Sequence, residues 1–93
     1  MVKRKILIIT TKNCLGCTIQ SNNVQAAIAK SNYAIQLDIK DFQEDSRVKK
    51  IIYNNRIYDF PATVFIKDDK VQFVSIGSNP RVVIERFIKV HLV

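Results

Sequence analysis

The sequence predicts an α/β fold, a mixed four-stranded sheet with helices on both faces, and three patterns in it carry that prediction. Two aliphatic-rich runs, Ile6 to Ile9 and Thr63 to Ile66, lack polar alternation and read as central strands covered on both sides. Ile35, Leu37 and Ile39 alternate strictly with Gln36, Asp38 and Lys40, the period of a half-buried strand at a sheet edge. The stretches between these strands space their apolar residues at helical intervals. The order that results is β-α-β-α-β-β-α, in one domain spanning residues 1–93.

Each element has a local reason. Lys3 to Thr10 is the first strand, and Lys12-Asn13-Cys14-Leu15-Gly16-Cys17 interrupts it. A helix is then expected to about Ser31, with Cys17, Val24, Ala27 and Ile28 on one arc. Glu44-Asp45-Ser46 can cap a second helix, whose stripe is Val48, Ile51 and Ile52 and which should fray near Asn54-Asn55. The strand Thr63 to Ile66 turns at Lys67-Asp68-Asp69-Lys70 into a return strand, Val71 to Ile76. Gly77-Ser78-Asn79-Pro80 reads as turn, N-cap and first helical residue, leading a helix that buries Val83, Ile84, Phe87 and Ile88. The first two strands, joined through a helix, should be parallel with a right-handed crossover.

Composition narrows the function. An apolar fraction of 47% with 25% charged residues is that of an ordinary folded domain. The net charge of +7 raises nucleic acid as a partner, but Lys3, Arg4, Lys5, Lys49, Lys50, Arg86 and Lys89 are scattered. Asp38, Asp41, Glu44, Asp45, Asp68 and Asp69 are interleaved with them, the pattern of a solvated basic surface. Basic residues before Ile6 imitate a signal peptide, yet the apolar run is too short and no small-residue cleavage site follows. No membrane partner and a cytoplasmic location are therefore expected, with the chain a monomer. In a reducing compartment a cysteine pair is more often catalytic or metal-binding than a structural staple.

The two cysteines are Cys14 and Cys17, and random placement would give this spacing only about one time in fifty. They sit where a buried strand ends and a helix begins, and a helix N-terminus offers free amide donors and partial positive charge to a thiolate. Cys14 at the lip should be the exposed nucleophile and Cys17, on the buried arc, the resolving thiol. Lys12 is near enough to favour the Cys14 thiolate. A zinc site would need about four ligands, whereas the chain adds only His91, expected on the surface of a fraying terminal helix. A structural disulfide over so short a loop would contribute little stability. Pro61, directly ahead of a central strand, fits either a cis turn or an ordinary trans loop proline.

Taken together, Cys14-Leu15-Gly16-Cys17 after the first strand, Pro61 before the third and Gly77 after the fourth resemble thioredoxins and glutaredoxins over essentially the whole chain. That resemblance implies a thioredoxin-like fold, a cis Pro61 against the redox pair, and a Phe60 backbone free to pair with an extended substrate peptide. Phe60, Pro61, Lys12 and Gly77 are then the residues expected to meet substrate. The implied activity is protein-disulfide reduction with no bound cofactor or metal, on disulfide-containing proteins, with reducing equivalents from a thioredoxin reductase or from glutathione.

The chain departs from thioredoxins in having Asn13 in place of a tryptophan, Leu15-Gly16 in place of glycine-proline, and Ile8 in place of a buried acid. Its short N-terminal outline is glutaredoxin-like, but Gly77-Ser78-Asn79 only partly matches the glycine-glycine-aspartate turn of glutaredoxins. A glutathione-dependent glutaredoxin is the alternative enzyme. A non-catalytic binding module on the same scaffold is the alternative outside enzymes.

Overall fold

A computed structural model describes residues 2–93. The elements are β1 (Arg4–Thr10), α1 (Leu15–Lys30), β2 (Ile35–Asp41), α2 (Ser46–Asn54), β3 (Ala62–Lys67), β4 (Lys70–Ile76) and α3 (Arg81–His91). In the sheet they are ordered β2-β1-β3-β4, with β1 and β2 parallel and the other two pairings antiparallel. The two runs without polar alternation are thus the two central strands, and the alternating one is an edge.

Burial on both faces explains the composition of the central strands. Ile6 and Ile8 of β1 and Phe65 of β3 meet Val24 and Ala27 of α1 and Ile84 and Ile88 of α3. Leu7, Ile9, Val64 and Ile66 point the other way, toward Val48 of α2 and Ile57. Every position from Ile6 to Ile9 and from Ala62 to Ile66 is buried, Thr63 with its hydroxyl bonded to Gln20, so neither run alternates with exposed polar residues.

The ends of the elements follow local chemistry. Asp68 and Asp69 both adopt positive φ, 51° and 65°, which a two-residue hairpin loop needs and which aspartate tolerates better than most residues. Asp45 caps α2 by accepting from the Val48 N–H at 2.9 Å, and that bond holds its carboxyl below the usual carboxylate range. Because the folded value is the lower one, the cap is complete above the unfolded pKa and is lost only as pH falls through the folded one.

Two expectations are corrected. Pro80, not Asn79, is the N-cap of α3, and the helix starts at Arg81. Pro80 has an extended backbone, φ −59° and ψ 151°, while its carbonyl accepts from Val83 and Ile84. The Asn79 side chain is unable to cap because Ser75 and Gln20 occupy it. His91 is also not on a frayed end: its ring stacks on Phe73, with centroids 4.2 Å apart and planes 4° apart.

Candidate active site at the start of the first helix

The crossover from β1 through α1 to the parallel β2 delivers the cysteines to the end of the sheet where β1 stops and β3 begins. Asn13, just before them, has φ 54°, a left-handed backbone that asparagine adopts at low cost and most other residues do not. The chain thereby turns sharply out of β1 and sets Cys14 as the N-cap of α1. Cys14 Sγ accepts from the Cys17 N–H at 3.0 Å, in the position usually held by a capping hydroxyl or carboxylate. A thiolate there would receive the same donor and the positive end of a helix whose first turn contains no acidic residue.

Cys14 and Cys17 are joined as a disulfide, with Cα atoms 5.2 Å apart. Cys14 is half-buried, whereas Cys17 is only 6% exposed, so an incoming molecule reaches the first sulfur before the second. Beside the pair lies a recess of about 500 Å³ lined by Thr10, Thr11, Asn13, Thr18, Ser21, Asn22 and Ile39. All of these are neutral. Ile8, on β1 below the pair, is fully buried and has no protonatable group.

The other expected site residues gather unequally. The Phe60–Pro61 peptide bond is cis. A methyl group built on Gly16 would stand 3.5 Å from Pro61 Cδ, so the cysteine turn and the proline loop are in near contact. Gly77, at φ 88°, donates its N–H to the Pro61 carbonyl at 2.8 Å and so buttresses the proline. Phe60 packs its ring 5.3 Å from that of Phe42, and among the described residues its backbone N–H and C=O make no backbone hydrogen bond. Lys12 is exposed on the loop before Cys14 and joins no ion pair among the described residues.

Sequence patterning missed Gln20, which is fully buried one turn after Cys17. Its Nε2 donates to Thr63 Oγ1 at 2.8 Å and to Asn79 Oδ1 at 3.2 Å, and its Oε1 accepts from the Asn79 N–H at 2.7 Å. Ser75 Oγ donates to the same Asn79 Oδ1 at 2.8 Å, and Asn23 Nδ2 donates to the Asn79 carbonyl at 2.9 Å. This polar cluster ties the helix bearing the cysteines to the strand that follows Pro61 and the turn that follows Gly77. The one available signal was that Gln20 falls on the same helical arc as Cys17, Val24 and Ala27.

Among the described residues no group of three or more His, Cys, Asp or Glu side chains is arranged to hold a metal, and no helix is long and apolar enough to cross a membrane. No family model and no curated protein matches the sequence. Solved structures match its fold. Thioredoxin-2, described as a component of the malaria parasite protein secretion machinery, matches at TM-score 0.77 and 17% identity, over 97% of this chain and 84% of its own. Chloroplastic thioredoxin z, described as having type-specific target recognition, matches at TM-score 0.72 and 16% identity, over 94% of this chain and 76% of its own. In element order, sheet topology and overall path, the chain carries the thioredoxin fold.

Proposed function

We propose that this protein is a thiol–disulfide oxidoreductase that reduces protein disulfides through Cys14 and Cys17. The observation that carries this function is the asymmetry of the pair: a reachable sulfur capping a helix and a shielded one bonded to it. In the reduced protein the Cys14 thiolate attacks one sulfur of a substrate disulfide. A Cys14–substrate disulfide forms, and the first substrate sulfur leaves as a thiolate. Cys17 then loses its proton and attacks Cys14 Sγ, releasing the second substrate thiolate and leaving the Cys14–Cys17 disulfide. The dithiol supplies both electrons. With only neutral side chains around the recess, the Cys17 proton passes to solvent or to the departing thiolate.

Phe60 and Pro61 would hold the substrate chain beside Cys14, through the unpaired Phe60 backbone, in the manner of an added strand. Gly77 acts behind them by fixing Pro61. Lys12 would contribute positive potential at the rim. No bound cofactor is required. The oxidised pair would be returned to the dithiol by a thioredoxin reductase or glutathione in the cytoplasm, with the protein acting as a monomer on disulfide-containing proteins.

The test is reduction of insulin disulfides with dithiothreitol as electron source. Acceleration well above the uncatalysed rate is expected, and a rate equal to the uncatalysed one would contradict the function. Repeating the assay with glutathione and its reductase as the donor separates a glutaredoxin from a thioredoxin-like reductase.

A further inference from the structure

A groove of about 1100 Å³ lies between the C-terminal half of α2 and residues 56–58, and its lining includes Phe42, Lys49, Tyr53, Arg56 and Tyr58. No acidic residue lines it. Among the described residues neither Lys49 nor Arg56 is in an ion pair. Tyr53 and Tyr58 are 84% and 80% exposed, large amphipathic rings with a face open to any chain laid across them. Arg56 stands just past the end of α2 with φ 52°, a left-handed position that glycine would occupy without strain. An arginine held there at a backbone cost is the kind of outlier that points to a use for its side chain.

The groove adjoins the loop that carries Phe60 and Pro61. Phe42 lines it and packs on Phe60, and Tyr58, also in its wall, is two residues from Phe60. A polypeptide paired with the Phe60 backbone therefore needs only a few more extended residues to run onto Tyr58, Tyr53 and the two cations, at about 3.3 Å per residue. Asp59 is exposed between Tyr58 and Phe60 in the chain but does not line the groove.

We infer that this groove is a specificity subsite that takes an acidic, extended segment flanking the substrate disulfide. The inference rests on the disulfide-reductase function and names the substrates that function would prefer. Two uncompensated cations would steer and retain carboxylates, while the tyrosines cover the peptide backbone.

Two disulfide peptides test this, identical except for an Asp/Glu or a Lys/Arg flank placed two to five residues from the cysteine. At low salt kcat/KM should favour the acidic peptide by roughly tenfold, and high salt should bring the ratio toward parity. Lys49→Glu with Arg56→Glu should invert the preference. Lys49→Ala with Arg56→Gly, which also relieves the left-handed position, should abolish it without reversing it. Equal rates for both peptides, or a preference unmoved by these variants, would overturn the subsite.

Bis(2-hydroxyethyl) disulfide, which has no flank, and binding of a cysteine-free acidic peptide to the oxidised protein keep the two ideas apart. No turnover of the first, with binding of the second that depends on Lys49 and Arg56, would leave the subsite standing and remove the reductase function. Tighter binding of an eight-residue oligothymidylate than of the acidic peptide would assign the groove to nucleic acid and overturn the inference.

Discussion

Cys17→Ser is expected to accumulate a covalent adduct with its substrate, visible as a mixed disulfide by mass spectrometry under non-reducing conditions. The reason is positional. Cys14 keeps its place at the helix N-terminus, with the residue-17 N–H still directed at its sulfur, so the first attack proceeds. The resolving sulfur is gone, and the intermediate waits for an external thiol. Cys14→Ser should instead fall to the uncatalysed rate with no adduct, because Cys17, only 6% exposed, is shielded from a substrate disulfide. Steady turnover by Cys17→Ser, or adduct formation through Cys17 in the Cys14→Ser variant, would reverse the assigned roles.

Gln20→Leu should be strongly destabilising, although it places a hydrocarbon of similar size in a buried site. Leucine cannot replace the bonds to Thr63 Oγ1 and the Asn79 N–H, and Thr63 is itself fully buried. Leaving the buried Thr63 hydroxyl unpartnered costs about 1–3 kcal/mol, and losing the bond to the N–H of half-buried Asn79 adds about 1, about 3 kcal/mol together. For a domain of this size that corresponds to a fall in Tm of roughly 15 °C. Gln25→Leu, on the exposed face of the same helix, should change stability by less than about 0.5 kcal/mol. Denaturant unfolding of both variants checks the contrast, and a Gln20→Leu protein as stable as the wild type would show that the cluster is not holding these elements together.

The fold was readable because its strongest signals are energetic ones that sequence patterns express directly. The unbroken apolar run Ile6–Ile9 of β1 and the nearly unbroken Ala62–Ile66 of β3 are buried on two faces. In β2, by contrast, Ile35 and Leu37 pack on the core and Ile39, expected to join them, is 45% exposed beside the cysteine recess. The Asp68-Asp69 turn and the Asp45 cap were readable for the same reason, since each is made by residues close in sequence. What escaped depends on contacts between distant residues. Asn79 has the residue type of an N-cap, but Gln20, 59 positions away, bonds to it first, and the helix starts one step later. His91 reads as a surface residue until β4 brings Phe73 beneath its ring.

The site divides in the same way. The spacing of Cys14 and Cys17 and their place between strand and helix are local, and the asymmetry of exposure follows from the helical arc. The near contact of Gly16 with Pro61, the buttress from Gly77 and the groove beside Phe60 require β3 to start where β1 ends. No pattern within a window of a few residues encodes that meeting.

The most direct measurement is titration of the thiolate ultraviolet absorbance of the reduced protein, with Cys14→Ser alongside. One thiol should ionise below the range of an unperturbed cysteine, and that transition should vanish in Cys14→Ser. If both thiols ionised only at or above the ordinary range, the end of α1 would not be activating Cys14, and the proposed chemistry would lose its basis.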